Sequence, residues 1–251
     1  MEPYISGGGT MSKLSDGLRD LQRKFCTAVV VAAGCSERMG QDKMFMEIGK
    51  IPVLARAIQP LNDCRAVDEI IVVTRAESLE KVSTLCRNYR LRKVTKVIAG
   101  GATRTESALA GVSQASKKAK LICIHDGARP LVTPEIIEQA VRAAQFCMAA
   151  APAVPVKDTV RIHREGDVYD TPDREEVFAM QTPQAFDADL IKAALTAAVN
   201  SGKSYTDDCA AVEALGTAVR LTEGSEENLK ITTQEDLLLA GLIAEKRRRG
   251  T

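Results

Sequence analysis

Apolar runs and amphipathic stretches take turns four times between residues 27 and 145, and this limits the chain to one class of fold. "TAVVVAA" (27–33), "DEIIVVT" (68–74), "KVTKVIAG" (93–100) and "KLICIHD" (120–126) have the length and β-branched content of strands. The first is apolar throughout, as expected of a parallel strand covered on both faces. Residues 52–61, 77–89, 104–116 and 133–145 carry helical periodicity, and Thr133 followed by Pro134 suits a helix start. A repeated strand–helix order predicts an α/β fold with a doubly wound, mainly parallel sheet. Ligands of such sheets bind outside the carboxyl ends of the strands.

Two loops occupy such ends. "VVVAAGCSERMGQDKMF" (29–45) leaves the first strand through small residues and then presents Arg38 and Lys43 five positions apart. A glycine-bearing turn lets backbone N–H groups approach phosphate oxygens closely. An arginine forks two oxygens, and a lysine adds a compact charge. The motif is neither a Walker loop nor a G-x-G-x-x-G fingerprint, because Ser36 stands where the second glycine belongs. The other loop, "HDGARP" (125–130), follows the fourth strand.

Near residue 155 the pattern changes. "VPVKDTVRIHREGDVYDTPDREEVFAM" is charged and rich in strand formers, with Gly166-Asp167 as a turn. Val154, Val156, Val160 and Ile162 alternate with polar positions as in one half-buried strand. The segment of about 155–180 reads as a projecting β-hairpin arm, and its apolar face suggests a homodimer. Helices resume at 187–199 and 206–215, where Thr206 reads as an N-cap ahead of Asp207 and Asp208. "AVRLTEG" is a late strand, and 233–248 is a closing helix whose basic last turn suits the helix dipole. Residues 1–25 read as a leader and N-terminal extension, and 26–251 as a single domain.

The totals exclude some classes. Net charge is +1, so nothing in the overall balance favours nucleic acid. No apolar run is long enough for a membrane span, and the N-terminus lacks the order of a signal peptide. Seven cysteines without C-x-x-C spacing suggest reduced thiols and a cytoplasmic protein, although Cys35 lies inside the first loop. Two histidines make a His-rich zinc site a poor expectation.

Five blocks, "AAGCSERMGQDKMF", "HDGARP", "QTPQAF", "TDDCAAVE" and "ENLKITTQEDLLLA", occur in an order and at separations that resemble the 2-C-methyl-D-erythritol 4-phosphate cytidylyltransferase family of the non-mevalonate isoprenoid pathway. The resemblance spans residues 27 to about 245. It implies cytidylyl transfer from CTP to a sugar-alcohol phosphate with release of pyrophosphate, with Mg2+ as cofactor. It implies that Ala32, Ala33 and Gly34 cradle the triphosphate, and that Arg38 and Lys43 stabilise the transition state. Gly101, Arg104 and Ser107 would recognise cytosine and its surroundings. Asp126, Ala128 and Arg129 would lie near the ribose and the acceptor. Thr159 and Arg174 would ride on the arm into a neighbouring subunit's site, with Thr182 and Thr206 lining the site. Lys230, with Arg174, would position the acceptor phosphate. The chain departs from the family in Ser36, in Asp42 and Met44 beside the lysine, in a shorter loop, and in Ala102 where an acid often stands.

These residue types suit the reaction. Two anions must meet, and charge grows on the α-phosphoryl oxygens and the departing pyrophosphate, so fixed cations lower the barrier without a protein nucleophile. Asp126 suits two roles equally: a magnesium ligand, or a partner for a ribose hydroxyl or the next turn. Four readings compete with the methylerythritol enzyme. These are a ribitol 5-phosphate cytidylyltransferase, a guanylyltransferase, a nucleotide-binding module without turnover, and a dinucleotide dehydrogenase. The last lacks its glycine fingerprint.

Overall fold

A computed structural model of the protein describes residues 23–34 and 42–250. The first strand, β1 (Cys26–Val31), lies between β4 (Glu69–Thr74) and β6 (Leu121–Asp126) and is parallel to both. β5 (Val94–Ala99) extends the sheet beyond β4. The short strands β2 (Glu47–Ile48) and β3 (Ile51–Pro52) form a separate hairpin. Side chains of β1 alternate between layers. Cys26, Ala28 and Val30 enter one core, and Val29 enters the other.

Helices fill both faces. α1 (Val53–Asp63), α2 (Leu79–Asn88) and α4 (Pro134–Cys147) cover one side. α3 (Arg104–Ser113), α5 (Ala188–Asn200) and α6 (Asp208–Glu213) cover the other. α3 lies so close to the sheet that a Cβ at Gly111 would sit 2.3 Å from Val29 Cγ1. A glycine there sets the helix–sheet spacing. α7 (Gln234–Arg249) packs Ala240 against a small cluster with Ile48, Val53, Leu131 and Ile231.

The doubly wound, mainly parallel expectation holds, and the eight matching strand and helix assignments to residue 147 end within a few residues of their expected bounds. The second half differs. β7 (Ala149–Pro155) is a buried strand of the main sheet, paired antiparallel with β10 (Phe178–Met180) and β11 (Gln184–Asp187) and parallel with β12 (Arg220–Glu223). β11 also pairs antiparallel with β6, so it joins the two halves of one sheet. Val154 therefore belongs to the main sheet. Val156 binds Val177 across a ladder, and Ile162 opens a different hairpin, so the alternating run 154–162 is not one strand. A bend at Lys157 and Asp158 breaks it.

That hairpin pairs β8 (Ile162–Arg164) with β9 (Asp167–Asp170) away from the main sheet. Its turn is Glu165-Gly166, one residue earlier than expected. Both have positive φ, +52° and +97°, as a tight two-residue hairpin loop requires. Ile162, Val168 and Tyr169 are exposed on it.

α6 starts at Asp207, whose carboxylate accepts from Ala210 N at 3.0 Å, so the cap is Asp207 and not Thr206. α7 has a reciprocal capping box between Thr233 and Asp236 and ends at left-handed Gly250. Its basic last turn is used locally: Arg248 and Arg249 bind Glu245, and Arg247 reaches Glu227 and the Leu131 carbonyl.

Candidate active site

The sheet reverses its winding at β1 and β6, and a cleft of about 320 Å³ opens at the carboxyl ends of those two strands. One wall is the exit from β1, where Ala33 and Gly34 line the cleft, while Ala32 is buried behind them. Ala32 N still donates to Val73 O at 2.7 Å, so the strand geometry continues until the turn begins. Arg38, Cys35 and Ser36 lie outside the described residues.

The opposite wall is the start of α3. Thr103 caps it in a box with Glu106, and the preceding Gly100-Gly101 runs against Ser107. Gly101 N donates to Ser107 Oγ at 3.1 Å. A Cβ on Gly100 would come within 2.5 Å of that oxygen, so only glycine permits the approach. Gly101, Arg104 and Ser107 thus share one corner of the cleft.

Asp126, the last residue of β6, lies at the floor. Arg104 Nη2 contacts its Oδ1 at 3.2 Å, and Lys230 Nζ contacts its Oδ2 at 2.8 Å. Arg129 Nε is 3.9 Å away. Burial pushes this carboxyl up, but Arg104, Lys230 and Arg129 together hold it well below the ordinary carboxylate range. Asp126 is therefore ionised across the working pH range.

Arg104 has a second carboxylate partner. Its Nη2 lies 2.8 Å from Asp208 Oδ2, and Asp208 is buried. Burial alone would weaken the Arg104 cation. The two acids outweigh it and keep the group charged. Burial raises the Asp208 carboxyl, and the Arg104 charge offsets only part of that. Arg104 Nε and Nη1 and Asp208 Oδ1 have no protein partner. Signs therefore alternate from Asp208 through Arg104 and Asp126 to Lys230. Sequence reasoning placed Asp208 among first-turn acids behind a Thr206 cap. Two adjacent acids before a helix look alike in sequence, and only the turn shows that Asp207 caps while Asp208 faces inward.

Lys43 reaches the cleft from a 3-10 turn, Lys43–Phe45, and its Nζ donates to Ile231 O at 3.0 Å. Ile231 N in turn donates to Ala128 O at 2.8 Å, which stitches the Lys230 segment to the loop after β6. Lys43, Arg104, Asp126, Ala128 and Lys230 are brought together here.

Three expected site residues lie behind the wall. Arg129 is buried and donates to Asn228 O at 2.6 Å and Met180 O at 3.4 Å, so its fork braces loops. Thr182 is buried between strands. Asp126 N donates to its Oγ1 at 3.0 Å. The Arg129 carbonyl, which can only accept, lies 3.3 Å from His125 Nε2, so the imidazole proton sits there and Nδ1 accepts from the Thr182 hydroxyl at 2.9 Å. Ala32 is the third. Asn228 completes this brace through Thr182 O at 2.9 Å, a role no sequence signal marked beyond a buried amide.

Thr159 and Arg174 are exposed on the arm and are not among the residues lining the cleft. Thr206 is exposed just ahead of the α6 cap. The expected set thus divides into a cleft group, a brace behind it, and an arm pair apart from both.

Asp126 is the one carboxylate among the cleft-lining described residues, and no cluster of three or more ligating side chains occurs among the described residues. That donor set fits magnesium, which commonly takes one or two carboxylates and fills its shell with phosphate and water. It does not fit zinc. The six described cysteines are unpaired. No helix among the described residues is long and apolar enough to cross a membrane.

Known proteins resemble the chain along most of its length. A family model described as IspD, 2-C-methyl-D-erythritol 4-phosphate cytidylyltransferase, matches residues 26–246. The chain is 42% identical over 224 residues to a protein of that description from Caldanaerobacter subterraneus subsp. tengcongensis, covering 88% of this chain and 99% of the relative. It is 41% identical over 226 residues to one from Halalkalibacterium halodurans, covering 89% and 99%. Among solved structures it is similar to the 4-diphosphocytidyl-2C-methyl-D-erythritol synthase of Anaerococcus prevotii, with TM-score 0.80, 31% identity and 88% and 96% of the two chains covered. It is also similar to the cytidylyltransferase of Thermus thermophilus, with TM-score 0.72, 30% identity and 86% and 98% covered.

Proposed function

The chain belongs to the 2-C-methyl-D-erythritol 4-phosphate cytidylyltransferase family of isoprenoid biosynthesis, and from that membership we propose which of its residues carry the reaction. It is a nucleotidyltransferase that forms 4-diphosphocytidyl-2C-methyl-D-erythritol from CTP and the methylerythritol phosphate, releasing pyrophosphate. The observation that carries the assignment of residues is the convergence of Lys43, Arg104 and Lys230 on one cleft around Asp126.

In this reading the triphosphate lies along the exit from β1, against Ala33 and Gly34. Gly101, Arg104 and Ser107 receive the base end. Lys43, with Arg38 on the same loop, meets charge growing on the phosphoryl oxygens. Lys230 holds the acceptor phosphate, which must first draw it away from Asp126. Its partial exposure leaves that path open. The acceptor oxygen attacks the α-phosphorus in line, the bond to the bridging oxygen breaks, and pyrophosphate leaves with the electron pair. No proton transfer is required, because the nucleophile is already an anion. Asp126 would hold magnesium, and the bound ion supplies further positive charge against the triphosphate. Arg129, Thr182 and Asn228 keep the floor rigid, which preserves alignment.

The arm belongs to this reading as a dimer element. Arg174 and Thr159 would complete the cleft of a second copy, with Arg174 forking the acceptor phosphate beside Lys230. The exposed apolar residues of the hairpin support such a homodimer. The unpaired thiols favour a reducing, cytoplasmic setting.

Pyrophosphate release from CTP and Mg2+ tests the whole. Methylerythritol phosphate is expected to support turnover and ribitol 5-phosphate to support little. Equal rates with both acceptors would defeat the acceptor assignment. Silence with both would favour a binding module.

A further inference from the structure

Lys43 sits on a long flexible stem, so its usefulness depends on how firmly its backbone is held. The turn that carries it is fixed at three points. Met44 is buried in the core. Phe45 packs its ring under Lys81, with Nζ 3.6 Å from the centroid. The third point is polar and lies immediately before the lysine. Asp42 Oδ1 accepts from Met44 N at 3.1 Å and so closes the turn. Its other oxygen is gripped by Arg75 Nη2. Arg75 is the first residue beyond β4, the strand beside β1, and its Nε rests on Glu77 at 3.1 Å.

We propose that Arg75 and Asp42 are positioning residues for Lys43, a latch that ties the end of the β1–β2 connection to the end of β4 and so aims the lysine amine into the cleft. The two ends of the tie differ in their setting. β4 is buried at every position, and Asp42 opens the turn that carries the lysine. A guanidinium at the end of that strand therefore holds the backbone immediately before Lys43. The aspartate does double duty. The same carboxylate that takes the arginine caps the turn, so loosening the ion pair also loosens the N–H it holds. Neither residue lines the cleft. Both act through Lys43, and the inference therefore rests on the role given to that lysine above.

The pair is partly exposed, with side chains about a third and a quarter accessible, so its contribution to folding is small. Its effect on rate is larger, because small misplacement of a catalytic group is amplified. Steady-state kinetics with CTP and methylerythritol phosphate on five variants test this. Arg75→Ala and Asp42→Asn are each expected to lower kcat about tenfold, with KM for CTP changed less and the melting temperature nearly unmoved. Asp42→Asn keeps an oxygen that can accept from Met44 N and removes the charge that draws in Arg75. Arg75→Lys is expected to recover part of the loss. The decisive measurement is Arg75→Ala on a Lys43→Ala background, where no further loss is expected because the latch then has nothing to aim.

Wild-type kcat in both single variants overturns the latch. So does a further tenfold loss on the Lys43→Ala background, which would mean that Arg75 acts elsewhere. A steep loss in Lys43→Ala with none in Arg75→Ala keeps the lysine's role and removes the latch alone. Full turnover in Lys43→Ala removes both.

Discussion

Asp126 draws two cleft cations, Arg104 and Lys230, to one carboxylate, and Lys43 enters the same cleft without touching it, so each cation has its own expected signature. Lys43→Ala is expected to lower kcat roughly 10²–10³-fold, the usual loss for one preorganised stabiliser, with thermal stability nearly intact. A variant retaining more than half of wild-type turnover would remove Lys43 from the chemistry. Asp208→Asn has a different signature. It leaves Arg104 with Asp126 only and strips a buried partner, so a stability loss of about 2–3 kcal/mol is expected by urea unfolding. An unchanged midpoint would show that the inner ion pair contributes nothing. For Arg174→Lys the expected result is impaired use of the acceptor, since a fork becomes a point charge. Unaltered KM and kcat would separate Arg174 from the site. Several residues that line the cleft stand out in the sequence by type and order: Ala33, Gly34, Lys43, Arg104, Asp126 and Lys230. Arg129 and Thr182 lie behind them. Their types suit ligands and braces equally well, and only the placement of Asn228 and His125 shows where their hydrogen bonds go.

At the scale of elements, periodicity was readable where a strand is covered on both faces. β1, β4 and β6 are mostly apolar and buried along nearly their whole length, and each helix between them has one apolar stripe. It failed for β7. "AAAPAVP" is made of small residues and two prolines, which strand propensity disfavours, yet it is buried. Its neighbours β11 and β12 accept it because helices α4 and α6 close over small side chains. The arm was legible as a projection and misjudged in register, since valines at the end of β7 continued a pattern into a separate hairpin. Replacing residues 161–171 with a short Gly-Ser bridge is expected to leave the main sheet and its melting temperature nearly unchanged. It is expected to yield a monomer by sedimentation and to abolish acceptor turnover. A truncated protein that stays dimeric and active would exclude the arm from the interface and from catalysis.

For the whole molecule, acid is the informative stress. His125 is fully buried, and burial drives its pKa down to about 4, with the Asp126 charge opposing and Arg129 adding to the fall. The unfolded chain takes up a proton near pH 6.5, while the folded protein resists it until about pH 4. Stability is thus unaffected above the unfolded value and is lost as pH falls between the two, by about 3 kcal/mol from this group alone. Asp126 adds to the loss only at lower pH, because its folded pKa lies below the unfolded one. Urea midpoints at pH 7.5 and pH 4.5 check this. His125→Gln is expected to flatten the difference, and an equally steep decline in that variant would place the acid sensitivity elsewhere.

The two borders of the main sheet are chemically unlike. β5 ends it on one side with Lys96 and Thr95 turned to water and Arg92 and Lys93 at its entry, side chains that repel a second strand. Beyond β7 it ends in two short strands, β10 with Phe178 exposed next to the apolar hairpin and β12 with Leu221 exposed between Arg220 and Glu223. The exposed apolar side chains thus gather on the second border. In the proposed homodimer, that border meeting its own twin about a two-fold axis would consume both sticky margins and turn the charged ones outward, so growth would stop at a pair instead of running on into a fibre.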